Sequence, residues 1–189
     1  MLVFQRGTNV LVHGASGGVG LAAVQMAAHS GAIVVGTAGT AEGLEIVRKN
    51  GATEVFNHRA SGYAVEIKEK FPNGLDLILE MAAHQNLRTD LDLLARNGKV
   101  AVIGSRGEIM IDPRALMTKE SSVFGVTLAN STDADLMTSS AFISEFLASS
   151  KYRPVINRTY PLSEIEKAHR DVMAGAGARG KLILSIDDQ

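Results

Sequence analysis

The chain of 189 residues contains no cysteine, which removes disulfides, thiolate catalysis and cysteine-based zinc sites and suits a reducing compartment. It has no excess of either charge: 19 basic residues stand against 20 acidic ones, for a formal net charge of -1. Neither nucleic acid nor an anionic membrane finds an attracting field there, and no basic, aromatic surface pattern points to RNA. Apolar runs are too short, and too often broken by Gly and Ser, to span a bilayer. The N-terminus lacks the basic and apolar regions of a secretory signal, so a cytoplasmic location is expected. The first seven residues do not read as a domain start and suggest the stump of a longer chain.

What the sequence does have is alternation. Short β-branched runs at 9–13, 32–37, 54–57, 75–80, 99–104 and 122–128 alternate with helically spaced segments at 19–30, 41–50, 63–71 and 86–95, and 133–149 adds a further helix. Gly31 and Gly51 stand where helices end, each followed by Ala and then a strand. This order implies right-handed crossovers and an α/β fold, a doubly wound parallel sheet of Rossmann type with helices on both faces. Beyond about residue 150 the series stops. A strand at 154–160, a helix at 163–174 opened by a Ser163/Glu166 capping box, and a strand at 181–186 are assigned to a second unit. Residues 1–150 are thus expected to be a dinucleotide-binding domain. Residues 151–189 are too few to build a core of their own.

The first strand runs directly into Gly14-Ala15-Ser16-Gly17-Gly18-Val19-Gly20 and then into a helix. Glycines there permit positive φ and close backbone approach, and the helix start offers free N–H groups and a positive dipole end to a diphosphate. Gly20 leaves room for the helix to pack on the strand. The spacing is GxxGxxG rather than GxGxxG, so the strand–turn–helix context carries the assignment more than the glycines do. Two competing readings fail on particular residues. A Walker A loop needs Gly-Lys-Ser/Thr, whereas Gly98-Lys99 precedes Val100 and Gly180-Lys181 precedes Leu182. Short-chain dehydrogenases need Lys four residues after a Tyr, and Tyr63, Tyr152 and Tyr160 are followed there by Ile67, Ile156 and Glu164.

A further absence concerns the coenzyme. A site for NAD ordinarily ends its second strand with Asp or Glu on the ribose 2′-OH. Here that strand ends in Gly36, Thr37, Ala38, Gly39 and Thr40, and Glu42 comes later. The acid-free end favours NADPH, although no Arg or Lys lies in that loop to grip a phosphate. Arg48 and Lys49 belong to the next helix as solvated charges.

The segments HGASGGVGLAAVQMA, GTAGT, FNHR, LDLILEM, GKVAVIGSRG and KESSVFGVTL resemble the zeta-crystallin-like quinone reductases, the zinc-independent branch of the medium-chain dehydrogenase/reductase superfamily. The resemblance runs from about residue 9 to residue 186. It implies NADPH as coenzyme and a quinone, or alternatively an enone, as acceptor. It also implies a set of coenzyme-binding positions. Ser16, Gly17, Gly18 and Val19 lie against the pyrophosphate, Gly39 and His58 near the adenosine ribose. Asn86, Ile103, Gly104, Ser105, Arg106, Val126, Thr127 and Leu128 lie towards the nicotinamide half. The C-terminal segment then belongs to a GroES-like catalytic domain whose N-terminal part is missing, leaving one wall of the active-site cleft. A non-catalytic coenzyme-binding module, crystallin-like or RNA-associated, is the other class of reading.

Each position has a structural alternative: a strand-end cap for His58, a solvated loop charge for Arg106, a helix N-cap for Asn86. His13 is expected to be a packed strand residue, and Met26, Met81, Met110, Met117, Met137 and Met173 to be core fillers. His29, His84 and His169 show no metal-ligand spacing, so no metal site and no catalytic side chain are nominated. The strand at 122–128 should lie at the sheet edge and pair across a two-fold axis in a homodimer or homotetramer.

Overall fold

In a computed structural model, residues 4, 6–149, 152–175 and 179–186 are described; most of the first seven residues, the boundary at 150/151 and part of the glycine-rich run at 175–180 lie outside them. Six strands, β1 (Asn9–Val12), β2 (Ile33–Ala38), β3 (Glu54–Asn57), β4 (Leu75–Glu80), β5 (Leu94–Val102) and β6 (Ser122–Gly125), form one sheet in the order β3-β2-β1-β4-β5-β6. Every pairing is parallel. The order reverses between β1 and β4, and ligands of such sheets bind in the crevice that opens there outside the carboxyl ends of the strands.

Alternation along β1 explains the two layers of helices. Val10 and Val12 point into one core with Leu21, Val24, Val34, Leu77 and Leu79, covered by α1 (Gly18–His29) and α2 (Ala41–Lys49). Leu11 points the other way, into a core with Val35, Ile67, Leu75, Ile78, Leu91 and Val100 under α3 (Tyr63–Lys70) and α4 (Ala83–Leu93). All of these side chains are buried, and two-sided burial is why the strands read as nearly continuous apolar runs. Gly31 and Gly51 adopt φ of +79° and +113°, as their positions past helix ends require.

The remaining elements are α5 (Pro113–Met117), α6 (Asp133–Ala148), β7 (Ile156–Pro161), α7 (Ile165–Ala174) and β8 (Lys181–Ser185). β7 and β8 pair in parallel as a separate two-stranded sheet. Hydrogen bonds at Gln25 and at Gly180 fasten that small unit to the large one, and Val155 packs against the larger core. Gln25 on α1 donates to the Arg153 carbonyl at 3.1 Å and accepts from the Arg153 N–H at 3.0 Å. Gly180 N donates to the Ser16 carbonyl at 2.9 Å, forming a parallel bridge beside Gly17. α6 touches the body through Phe146, whose ring lies 4.8 Å from His29 and 5.4 Å from Tyr152.

Several local expectations are corrected. No capping box forms at Ser163: residues 162–164 wind as a 3-10 turn, α7 starts at Ile165, and Glu164 caps it without a side-chain bond. The capping box is found instead at Thr132 and Asp135, at the start of α6. The edge strand is shorter than expected, because the backbone leaves the ladder after Gly125 and turns through a 3-10 segment at Leu128–Asn130. α5 was hidden by its length; Asp112 caps it with Pro113 in the first position. Met110, Met117, Met137 and Met173 are exposed rather than buried, whereas Met81 packs against the core. No helix among the described residues is long and apolar enough to cross a membrane.

Candidate functional site

The glycine turn opens at the end of β1. Gly14 takes φ of +56°, where a side chain would be strained. Gly20 is buried, and a Cβ there would fall 2.6 Å from the Ala15 Cα. The first turn of α1 is therefore pressed against the end of β1. Gly17 caps α1 in extended conformation and offers no side-chain bond to the first N–H groups of the helix. Val19 projects from this turn, 57% exposed.

A cleft of about 170 Å³ lies between this turn and its neighbours, lined by Gly14, Ser16, Gly17, Gly39, Thr40, His58, Arg59 and Gly175. It joins the glycine turn to the end of β2 and to the loop after β3. Thr40 is fixed by capping α2, accepting from Gly43 N at 3.1 Å. Gly39 is bare because His58 and Arg59 stand over it: a Cβ would lie 2.7 Å from Arg59 Nε and 2.9 Å from His58 Nε2. The Asn57 carboxamide holds the loop by accepting from Arg59 N at 2.9 Å. The pKa of His58 is lowered, first by partial burial in the cleft and then by the positive field of His13 and Arg59. The cation judged absent from the β2 loop thus arrives from the next strand, beside the histidine of the FNHR motif.

The other expected positions gather at the ends of β4, β5 and β6. Gly104 N donates to the Glu80 carbonyl at 3.2 Å and Ala83 N to the Gly104 carbonyl at 2.9 Å, so Ile103 and Gly104 lie beside the entry to α4. A Cβ on Gly104 would collide with the Met81 carbonyl. Arg106 N donates to His84 Nδ1 at 3.2 Å, while Ser105 Oγ donates to the Gly107 carbonyl at 3.1 Å. Val126 N donates to the Val102 carbonyl at 2.9 Å, which holds the segment from Val126 through Thr127 to Leu128 at the end of β5. Ile103, Val126 and Leu128 are exposed apolar side chains at these strand ends. Asn86 is not a cap: α4 begins at Ala83, and the Asn86 amide, within the first turn, donates to Glu80 Oε1 at 3.2 Å.

Sequence reasoning missed a buried polar cluster directly beneath the turn. His13, Glu80 and Asp90 are 2%, 0% and 0% exposed. His13 Nε2 lies 2.9 Å from Asp90 Oδ1 and 3.6 Å from Glu80 Oε2, while Nδ1 lies 3.2 Å from Thr37 Oγ1. The Thr37 oxygen in turn accepts from Gly14 N at 3.3 Å. Burial lowers the His13 pKa, and burial raises both carboxyls to about 7. Asp90 gives no signal in sequence, since an acid in a helix ordinarily reads as a solvated face. His13, at a position expected to be apolar, was the one available hint.

Comparison with known proteins places these features. The model of a family described as zinc-binding dehydrogenase matches residues 18–145. The chain is 50% identical over 181 residues to the quinone oxidoreductase of Homo sapiens, covering 95% of this chain and 55% of that protein. The chain therefore spans about half the length of the curated relatives it matches. Among solved structures, the Escherichia coli quinone oxidoreductase complexed with NADPH superposes with a TM-score of 0.84 at 26% identity, over 95% of this chain and 58% of that one. The CurK enoyl reductase superposes with a TM-score of 0.83 at 27% identity, over 96% of this chain and 55% of that one.

Proposed function

Because the chain belongs to the zinc-binding dehydrogenase family, we propose that it is the coenzyme-holding part of an NADPH-dependent quinone reductase. The observation that carries this reading is the cleft in which Gly39 lies bare beneath His58 and Arg59, at a strand end with no carboxylate. An acid at that point would accept from a ribose 2′-OH and repel a 2′-phosphate; a guanidinium and an imidazole suit the phosphate. Ser16, Gly17, Gly18 and Val19 would take the pyrophosphate against the start of α1. Gly39, His58 and Arg59 would take the ribose phosphate. Asn86 and the segments Ile103–Gly104–Ser105–Arg106 and Val126–Thr127–Leu128 would line the nicotinamide half.

Zinc does not fit what is present. The one candidate cluster among the described residues is His13, Glu80 and Asp90. It is closed to solvent, its imidazole is engaged on both nitrogens, and it has no open position from which an ion could polarise a substrate. NADPH, when bound, supplies the hydride. The protein's part is to orient the ring, exclude water with Ile103, Val126 and Leu128, and leave the acceptor against an apolar wall. A quinone is electrophilic enough to need no metal, and no side chain at these strand ends is required as a base.

The same reading assigns residues 151–189 to the return segment of a GroES-like catalytic domain and places the protein in the cytoplasm. It assigns β6, which pairs only with β5 among the described residues, to a two-fold contact between copies. Titration with NADPH against NADH tests the coenzyme: tighter binding of NADPH by about tenfold is expected, and equal affinities overturn it. NADPH oxidation with an ortho-quinone and with an enone tests the acceptor, and reduction of the enone alone overturns the quinone.

A further inference from the structure

The His13, Glu80 and Asp90 cluster poses a charge problem that its neighbours leave unsolved. Glu80 Oε2 and Asp90 Oδ2 are buried and accept no hydrogen bond, although one atom from each of the three side chains lies within 4.8 Å of the others. Among the described residues, no Lys or Arg forms an ion pair with either carboxyl. Two other titratable groups face the cluster: His58, from the loop after β3, lies in the field of His13, and Tyr63, from α3, lies in the field of both carboxyls. Tyr63 is raised above its ordinary value by burial and by both carboxylates, so it stays protonated and neutral. Two adjacent carboxylates in an apolar interior would repel each other and leave bare lone pairs. One proton shared between Glu80 Oε2 and Asp90 Oδ2 removes both faults at once.

With that proton in place, every polar hydrogen in the cluster finds an acceptor. Glu80 donates to Asp90, and His13 Nε2–H donates to the other oxygen of Asp90. The Thr37 hydroxyl donates to His13 Nδ1 while its oxygen accepts from Gly14 N. At the far end, Glu80 Oε1 accepts from Ala82 N and from the Asn86 amide. The result is a continuous run of hydrogen bonds from the glycine turn, under the sheet's switch point, to the first turn of α4.

We propose that Glu80 and Asp90 are positioning residues that hold one shared proton, and that this proton keeps Gly14 and Asn86 in the arrangement that binds coenzyme. The proposal rests on the reading of the crevice as a coenzyme site. Loss of the proton sets two carboxylates against each other and breaks the run at its middle, so that Glu80, the acceptor that holds Asn86, no longer has a fixed place. Both carboxyls are raised to about 7, chiefly by burial, so the loss falls near neutral pH.

The test is NADPH affinity of the full chain from about pH 6.5 to about pH 8.5, above the lowered range of His58, for the wild type, Glu80→Gln and Glu80→Ala. The wild type is expected to weaken by about fivefold or more across this window. In Glu80→Gln the amide donates permanently to Asp90 and the pH dependence flattens, with tight binding retained at the upper end. Glu80→Ala is expected to bind weakly throughout, so rescue by Gln separates a hydrogen-bonding role from simple packing. A flat wild-type profile with tight NADPH binding overturns the proposal and leaves the coenzyme reading standing. Failure of the folded wild type to bind NADPH at any pH overturns the coenzyme reading itself. Infrared spectra provide a readout independent of coenzyme: a protonated carboxyl band at neutral pH should disappear in Glu80→Gln. Stoichiometric retention of a divalent cation, lost in that variant, would show that an ion holds the cluster and would overturn the shared proton.

Discussion

Arg59 stands over Gly39 so closely that the missing side chain defines the site: its Nε lies 2.7 Å from where a Cβ would be. Gly39 is not in the left-handed region, so its value here is space rather than conformational freedom. Gly39→Ala is expected to push Arg59 and His58 aside and weaken NADPH by about tenfold, with a smaller effect on NADH. Fluorescence titration of both coenzymes checks this, and equal losses for the two would show that the 2′-phosphate is bound elsewhere.

Arg59→Ala should act on selectivity more than on fold, because the side chain is exposed and its loss uncovers no core. Loss of one charge-assisted contact corresponds to about 1.5–3 kcal/mol, or about tenfold or more in NADPH affinity. The ratio of NADPH to NADH affinity should fall towards unity while the melting temperature stays unchanged.

Gly20→Ala meets backbone instead of a side chain, at the Gly14 carbonyl and the Ala15 Cα. Neither can yield without moving the turn. Destabilisation of about 1–3 kcal/mol by denaturant unfolding is expected, together with loss of coenzyme binding.

The carboxyl pair also predicts how stability depends on pH. Between pH 4.5 and about 7 folded Glu80 keeps a proton that its unfolded counterpart has released. Its contribution to stability is therefore fully present below 4.5 and is lost as pH rises through about 7. His13, lowered by burial, acts oppositely: its unfavourable contribution is greatest at low pH and fades towards 6.5. Glu80→Gln removes the descending part, so raising the pH from about 6.5 to about 8 should cost the variant less melting temperature than the wild type. Parallel profiles would contradict a shared proton.

How much of this was visible in the sequence follows from the distance over which each feature is decided. The six strands and the turn at Gly14–Gly20 are written in local alternation and local glycine placement, and they appear in the expected order, although β5 begins at Leu94 inside a segment read as helix. Element ends were less legible, because tertiary contacts set them. The end of β6 depends on where Val126 N can still reach the Val102 carbonyl, and α4 starts early because Ala83 N finds the Gly104 carbonyl. The acid-free end of β2 was legible in the sequence. The cation that completes it was not, since Arg59 meets Gly39 only once β3 lies beside β2. His13 and Asp90 are separated by 77 residues, so nothing local could show them as partners. The exposed methionines have a similar cause: Met137 lies on α6, which reaches the body chiefly through Phe146.

Gln25 predicts the strength of the link between the two sheets. Its side chain makes a two-way amide contact with Arg153 and also donates to Asn50 at 2.8 Å. Gln25→Ala leaves the Arg153 backbone groups without these partners, at a cost of about 1–3 kcal/mol. Limited proteolysis should then cut near residues 149–155 sooner than in the wild type.

The bond from Gly180 N to the Ser16 carbonyl has a consequence for how the protein is made. The glycine turn is synthesised well before one of its backbone partners, because β2 through β7 lie between Ser16 and Gly180 in sequence. A nascent chain can assemble the sheet from β1 to β6 and still lack a finished turn. A docking step in which Gly180, at the entry to β8, returns to the loop after β1 therefore follows formation of the sheet, and a chain stalled before Gly180 would be folded in its core but incomplete at the glycine turn.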